Sequence, residues 1–292
     1  MKRTNFELED QFSDVLKKFR YGRKMGLKAL SERTGIFPER LREMEGGSIV
    51  PDTREWAALG QALGFSGPVM ERVHFHPEHT PRFTLPPSVH PVGESYFGYA
   101  VWTNIVRHPT DPKRALLVDT GGLGERVLSE IDTLGLTLDA VLLTHAHSDH
   151  AGVLSRLEKR LPPLVFLDRS DDALLDGPIP AGVTVYPPER AGAILAPLGW
   201  TVSAEPASGH TRGSVAYLID GVLFVGDAIF CGSAGKCASP ETFLNSLETV
   251  DRLLGRHQES VFIVSGHGPF TSVGFERENN PFFGASRFLP EF

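Results

Sequence analysis

The sequence predicts an α+β protein in which a large domain with two β-sheets packed between helices follows a small all-α domain. Three observations support this fold class. Apolar residues recur at helical spacing over residues 1–70, short apolar runs alternate with helical patterns after residue 93, and a proline-rich stretch lies between the two parts. We therefore assign residues 1–70 to the helical domain, 71–92 to a linker and 93–292 to the large domain.

The helical domain is predicted to contain four helices. The first places apolar residues on one face and basic residues on the other, and the apolar residues are Phe12, Val15, Leu16 and Phe19. Two short helices, over residues 27–35 and 38–47, are joined through Gly35, and a fourth covers Thr53 to Leu63. This arrangement resembles the Cro/repressor type of helix-turn-helix domain over about residues 12–65.

That resemblance implies that the helix beginning near Pro38 enters the major groove of double-stranded DNA as part of a homodimer. The predicted contacts are basic side chains: Lys28 and Arg33 to the DNA backbone, and Arg40 and Arg42 to bases or phosphates. Two acidic residues on the same helix oppose this, as does the balance of 12 basic against 10 acidic residues over residues 1–70. A structural or dimerisation role is the alternative.

Residues 71–92 contain five prolines together with His74, His76 and His79. Proline at this density favours an extended chain, and no apolar strand supports the three histidines as a metal site. We expect an extended linker with solvated histidines, which separates the functions of the two domains.

The large domain is predicted to be rich in short strands. These strands cover residues 100–106, 115–119, 140–143, 164–168, 182–186, 200–204, 215–219, 222–225 and a run from Ile263. A helix over residues 124–134 leads into the strand at 140–143. Asp119 ends an earlier strand, and its carboxylate is expected either to hydrogen bond the free nitrogen of a ligand histidine or to form a turn.

Four polar side chains lie within six residues, directly after the apolar run 140–143: His145, His147, Asp149 and His150. Three further donors each follow a strand, and these are His210, Asp227 and His267. Imidazole and carboxylate ligands without thiolate favour Zn, with Fe or Mn as alternatives. Two groups of ligands that leave one loop in different directions predict a pair of divalent metal ions.

The motif Thr-His-x-His-x-Asp-His, followed by a lone His, a lone Asp and a final His, resembles the signature of the metallo-β-lactamase superfamily over about residues 96–283. The resemblance implies an αββα sandwich with two metal ions. It implies that the first ion is held by His145, His147 and His210, and the second by Asp149, His150 and His267, with Asp227 bridging both.

Residues 266–283 and 226–236 resemble those of the glyoxalase II-like hydrolases, which implies hydrolysis of a thioester or a related ester-like bond. Asp149 and Asp227 are then catalytic, because both border the water that the metal ions activate. Lys236 is predicted to bind a substrate carboxylate, with a solvated lysine as the alternative. Alternative functions are a single-iron persulfide dioxygenase, a lactonase or β-lactam hydrolase, and a one-component regulator that senses an acyl metabolite.

The charge and apolar content of the chain limit the kinds of partner that we expect it to bind. Residues 71–292 carry 17 basic against 26 acidic residues, which argues against a polyanionic substrate for the large domain. Apolar runs are too short to cross a bilayer, and Met1–Glu7 has no apolar segment behind it, so we expect no membrane contact and a cytoplasmic location. Cys231 and Cys237 fit no metal spacing and are expected to be small loop residues in a reducing compartment.

Overall fold

The computed structural model describes residues 8–75, 83–154 and 164–288. Five helices form the N-terminal part: α1 (Phe12–Gly22), α2 (Leu27–Thr34), α3 (Pro38–Glu45), α4 (Thr53–Leu63) and α5 (Gly67–Phe75). Asp52 caps α4 by accepting hydrogen bonds from the next residues' amides, and Gly35 ends α2 in a left-handed conformation (φ 72°). The four predicted helices are confirmed, and α5 was not predicted.

The first sheet contains six strands in sequential order: β1 (Val89–Tyr96), β2 (Tyr99–Arg107), β3 (Arg114–Val118), β4 (Thr137–Leu142), β5 (Leu164–Phe166) and β6 (Thr184–Tyr186). Strands β1 to β3 pair antiparallel, and β3 to β6 pair parallel. Helix α6 (Glu125–Leu134) connects β3 to β4, and the single turn α7 (Ser148–Ala151) follows β4.

The second sheet has the order β11-β10-β9-β8-β7. Its strands are β7 (Val202–Pro206), β8 (Val215–Ile219), β9 (Val222–Gly226), β10 (Phe262–Ser265) and β11 (Thr271–Ser272). The accompanying helices are α8 (Ala191–Leu195), α9 (Pro240–Arg256) and α10 (Val273–Asn279). Only the β9–β10 pair is parallel among the pairings of this sheet within the described residues.

The helices and sheets pack in layers around three apolar cores. Leu142 of the first sheet and Phe224 of the second share the central core, which lies between the sheets. Val141 packs on the opposite face of the first sheet with Ile131 of α6. Leu223 packs on the opposite face of the second sheet with Leu247, Leu253 and other residues of α9. The order of layers is helix, sheet, sheet, helix, so the predicted mixed α+β fold with two sheets between helices is confirmed.

The N-terminal helices belong to the same core as α9, so the two predicted domains pack against each other, and the separation of their functions stays a prediction. Phe19 of α1 has its ring centroid 5.5 Å from Phe243 and 4.6 Å from Phe282. The buried guanidinium of Arg23 donates to the carbonyl oxygens of Leu63 and Ala285, at 3.0 and 2.7 Å. The helical part is thus packed against α9 and the C-terminal segment through apolar contacts and the hydrogen bond from Arg23 to Ala285.

The predicted linker is shorter than residues 71–92, because α5 continues to Phe75 and β1 begins at Val89. His74 lies on α5, where burial lowers its pKa to about 4, so the expectation that it is solvated is wrong. His76 and His79 lie outside the described residues. No helix within the described ranges is long and apolar enough to span a membrane.

Candidate metal centre

The seven predicted ligands come from loops at one end of the two sheets. His145 and His147 lie between β4 and α7, while Asp149 and His150 lie on α7 itself. His210 lies between β7 and β8, Asp227 directly follows β9, and His267 follows β10. Because each group follows the end of a strand, the sheets hold all four groups of side chains close together at one end of the sandwich.

A first group of three imidazoles contains His145, His147 and His210, whose ligand atoms lie within 4.8 Å of one another. Nε2 of His210 lies 2.8 Å from Nδ1 of His147, and the ring centroid of His145 lies 4.9 Å from each of the other two. Two neutral imidazoles can form a hydrogen bond at 2.8 Å, and three imidazoles this close together are also the arrangement that a shared cation stabilises.

A second group combines carboxylates with imidazoles. His150, Asp227 and His267 have ligand atoms within 4.8 Å of one another, and so do His145, Asp149 and His150. Asp149 Oδ2 lies 3.3 Å from Nε2 of His267, and Asp227 Oδ1 lies 3.3 Å from Nε2 of His150. Asp227 Oδ2 lies 3.5 Å from both His210 and His267, so this carboxylate faces both groups.

One buried atom of the site, Nε2 of His145, makes no hydrogen bond with any described residue, while Oδ1 of Asp227 faces the imidazole of His150 at 3.3 Å. A buried polar atom without a partner is costly, and a metal ion supplies the missing partner of His145. Burial lowers the pKa of His145 well below its usual range, which keeps the imidazole in the neutral form that binds metals. The residues present therefore fit two divalent ions.

Hydrogen bonds orient the imidazoles from behind. Nδ1 of His150 lies 2.9 Å from the Asp119 carboxylate, and Nδ1 of His210 and of His267 each lie 2.8 Å from a backbone carbonyl oxygen, those of Lys236 and Ala100. These partners leave Nε2 of each ring directed towards the site, which is a frequent arrangement around metal-binding histidines. Asp119 was expected either to hydrogen bond a ligand histidine or to form a turn. Its contact with His150 shows that it hydrogen bonds a histidine of the site.

Charge is also balanced inside the site. Burial alone opposes ionisation of Asp227, but the nearby His150 and His267 hold the pKa of Asp227 well below its usual range. Asp227 is therefore a carboxylate near neutral pH, able to bind cations through both oxygens.

Asp171 is a residue of the site that the sequence analysis missed. Its buried carboxylate accepts hydrogen bonds from the Thr211 hydroxyl at 2.7 Å and from the Gly213 amide at 2.8 Å. It also lies 3.3 Å from the amide of Ala146, so it connects the loop of His145 and His147 to the loop of His210. No local pattern marks this residue, because it lies in a polar segment after β5 and its partners are distant in sequence.

A cleft of about 1090 Å³ opens onto this centre. Asp149, His210, Asp227 and His267 form part of its wall, whereas His145 and His150 do not border it. Lys236 also borders the cleft and is exposed, as a substrate-binding lysine requires. The volume of the cleft is sufficient for a ligand the size of a short peptide.

The four basic residues predicted to contact DNA lie on α2 and α3, away from the metal centre. Arg40 forms a two-pronged ion pair with Glu55 of α4, Arg42 lies 3.3 Å from Glu39, and Lys28 lies 3.9 Å from Glu32. Arg33 is exposed near the end of α2. DNA contact by these residues stays a prediction.

Both cysteines are free and buried. Burial raises the pKa of Cys237 to about 11, so its thiol stays protonated and unreactive near neutral pH. This agrees with the expectation that the cysteines are small loop residues.

The chain is similar to known metal-dependent proteins over the part that holds the metal centre. A family model described as the metallo-beta-lactamase superfamily matches residues 97–267. The chain is 30% identical over 193 residues to the hydroxyacylglutathione hydrolase GloC of Haemophilus influenzae, an alignment that covers 60% of this chain and 90% of that protein. Helices α1 to α5 precede the part that the family model matches.

Two solved structures are similar over 67% of this chain and 100% of their own. The BLEG-1 B3 metallo-beta-lactamase is 26% identical, with a TM-score of 0.54. TTHA1623 in a di-iron-bound form is 31% identical, with a TM-score of 0.53.

Proposed function

Since the chain belongs to the metallo-β-lactamase superfamily, we propose that it is a dinuclear metal hydrolase that cleaves a thioester of a small acyl group. The chain is a metal-dependent hydrolase with glyoxalase II-like relatives. The thioester is supported by the name of the hydroxyacylglutathione hydrolase from Haemophilus influenzae, which aligns over 90% of its length.

In this proposal one ion is held by His145, His147 and His210, the other by Asp149, His150 and His267, and Asp227 binds both. Zn is the proposed metal, with Fe or Mn as alternatives, and the di-iron form of a relative keeps iron in consideration. Bound ions of this kind lower the pKa of water and polarise the acyl carbonyl of the substrate.

Residues of the chain are proposed to orient the attacking water and to bind the substrate. Asp149 and Asp227 border the cleft, and their carboxylate oxygens can accept hydrogen bonds from the attacking water and so orient it towards the acyl carbon. Phe230 forms a largely buried apolar part of the same wall and excludes bulk water from the reacting bond. Exposed Lys236 can bind a carboxylate of the thiol portion.

One observation carries the proposal: seven donor side chains from four loops converge, and Nε2 of buried His145 makes no hydrogen bond with any described residue. The cost of leaving that nitrogen unpaired is removed when a cation binds. The arrangement also leaves Asp149 and Asp227 accessible from the cleft, where a substrate can reach them.

The direct test loads the purified chain with Zn, Fe or Mn in turn. Each form is assayed with a hydroxyacyl glutathione thioester, a lactone and a β-lactam, and oxygen uptake is followed with glutathione persulfide. We expect the thioester to be hydrolysed with the highest kcat/KM. Oxygen uptake by the iron form without thioester hydrolysis would support the dioxygenase alternative and contradict the proposal.

A role of the helical part in DNA binding, with a homodimer as its functional form, stays a prediction, and so does a combined role as a metabolite-sensing regulator. The ion pairs of Arg40 and Arg42 with Glu55 and Glu39 oppose it, because phosphates must replace those carboxylates. A cytoplasmic location likewise stays a prediction.

A further inference from the structure

The wall of the cleft opposite the sheets contains α1, a helix outside the part of the chain that the family model matches. Asp14, Lys17, Lys18 and Tyr21 of this helix border the same cleft as Asp227 and His267. The helical part therefore contributes directly to the surface that a substrate meets.

Contacts fix α1 against the loop that follows Asp227. The ammonium of Lys18 donates to the Ala234 carbonyl oxygen at 2.7 Å and also pairs with Asp10, which in turn accepts a hydrogen bond from the Ser233 hydroxyl. The Tyr21 hydroxyl lies 3.2 Å from the carbonyl oxygen of Ala238. Since these bonds involve residues 233–238, α1 and the segment that contains Lys236 are held together as one wall.

Of the residues that the structure describes, four lysine or arginine side chains border the cleft, and two of them already have their donors engaged. Lys18 is held as described, and Arg20 donates to both carboxylate oxygens of Glu45 and to the Met25 carbonyl oxygen. Among the described residues, Lys17 makes only an exposed ion pair with Asp14 at 2.9 Å, and such a pair is weak and readily exchanged. Lys236 has no ion pair with any described residue and is exposed.

The carboxylates of Asp10 and Asp14 each have a partner other than the two exposed lysines, so a substrate carboxylate competes with Asp14 for Lys17. Asp10 is neutralised by Lys18, and Asp14 also accepts a hydrogen bond from the Gln11 amide at the start of α1. Glu9 lies at the metal end of the cleft, against Gly268. Its surroundings therefore differ from those of the exposed lysines.

We infer that α1 is a specificity element of the hydrolase and that Lys17, together with Lys236 on the same wall of the cleft, binds a carboxylate on the thiol portion of the substrate. This inference rests on the proposed thioester hydrolysis. It assigns the helical part a role in selecting anionic substrates. Lys17 does not touch the metal ligands, so its effect is on binding and not on the chemical step.

The test compares a hydroxyacyl glutathione thioester with its diamide, in which both carboxylates are replaced by neutral amides. Lys17→Ala is expected to raise KM for the carboxylate form about tenfold, as loss of one charge-assisted hydrogen bond implies, and to leave kcat unchanged. KM for the diamide should not change. Lys17→Arg should restore most of the binding, and Lys113→Ala, an exposed lysine outside the cleft, is the matched control.

A second readout is the Kd of a non-hydrolysable thioether analogue that carries the same carboxylates, measured by calorimetry. Lys17→Ala is expected to weaken this binding by the same factor as KM. If the wild type hydrolyses the thioester while Lys17→Ala leaves KM and Kd unchanged, or changes both substrates equally, the inference is wrong and the proposed function stands. A wild type that hydrolyses neither thioester overturns the proposed function and the inference with it.

Discussion

Asp119 Oδ2 lies 2.9 Å from Nδ1 of His150, and the same carboxylate accepts hydrogen bonds from the amide and the hydroxyl of Thr144. One carboxylate thus orients a proposed metal ligand and also holds the residue just before His145. The backbone of Asp119 has a left-handed conformation (φ 59°), which is uncommon outside glycine and brings the side chain beneath the metal centre. Asp119 is therefore a positioning residue for two of the loops.

Asp119→Asn is expected to weaken metal binding about 10- to 100-fold while the protein remains folded. The physical reason is that asparagine has one acceptor oxygen for three donors, and its amide group must then face another donor. Metal titration of chelator-treated protein measures the change. Asp139→Asn is the control, since Asp139 pairs with Arg114 and Trp200 on the same sheet but far from the ligands. Unchanged affinity in Asp119→Asn would show that the contact does not support metal binding.

Gly266 allows two ligands to approach the backbone of the loop after β10. A Cβ atom at this position would lie 2.4 Å from both Asp227 Oδ1 and Cε1 of His150. Gly266→Ala is therefore expected to displace both ligands and to lower bound metal below one ion per chain, measured by elemental analysis after metal loading.

The matched control for Gly266→Ala is Gly255→Ala, on the exposed side of α9, where a Cβ meets nothing within 4 Å. That change should preserve metal content and stabilise the protein by up to about 1 kcal/mol, because alanine favours a helix over glycine. Normal metal content in both variants would contradict the close packing described for Gly266.

Asp227→Ala is expected to abolish thioester hydrolysis and to reduce metal binding at both positions, because its carboxylate faces both groups of histidines. Loss of activity should be at least 100-fold, in line with loss of a ligand and its water-orienting oxygen. Steady-state kinetics and metal analysis on the same preparation measure both effects. Asp172→Ala, a change of an exposed carboxylate paired with Arg169, serves as the control. Turnover near the wild-type rate in Asp227→Ala would remove this residue from the mechanism.

Glu276 predicts a pH dependence of stability that does not involve the metal ligands. Burial raises the pKa of Glu276 to about 7, although hydrogen bonds from Thr271, Asn280 and Gly232 lower it. The unfolded chain ionises this group near 4.5, so between about pH 4.5 and 7 the unfolded state binds fewer protons than the folded state. The contribution of Glu276 to the free energy of unfolding therefore falls as pH rises through that range and is constant above it.

Glu276→Gln removes this titration while keeping a side chain of the same shape. Its oxygen can accept from Gly232 and Asn280, and its amide can donate to the Thr271 hydroxyl. Urea unfolding from pH 5 to 8 is expected to show that the stability of the variant relative to the wild type increases with pH up to about 7. A difference that does not vary with pH would contradict a protonated, buried Glu276.

Much of the metal centre could be predicted from the sequence because its chemistry is local. His145, His147, Asp149 and His150 lie within six residues after an apolar run, and each remaining donor directly follows a strand or lies in a glycine-flanked turn. Strands end at a shared edge of a sheet, so this pattern predicts convergence without knowledge of the packing.

The packing between distant segments could not be predicted in the same way. Lys17 and Lys18 look like the solvent face of an isolated helix, and only the contacts of Phe19 with Phe243 and Phe282 place that face over the metal cleft. Because residues 71–92 are rich in proline, the sequence did not predict β1, which begins at Val89 in the first sheet. Helix α9 was not predicted, although its apolar residues recur at helical spacing over Phe243, Leu247, Val250 and Leu254.

The central claim is that this chain holds two metal ions, since the proposed hydrolysis and the role of Asp227 both depend on the pair. Elemental analysis of protein purified without chelator and then saturated with Zn, Fe or Mn measures the number of ions bound per chain. We expect two ions per chain in the wild type and weaker binding at both positions in Asp227→Ala. A wild-type value that stays at one under saturation would contradict it.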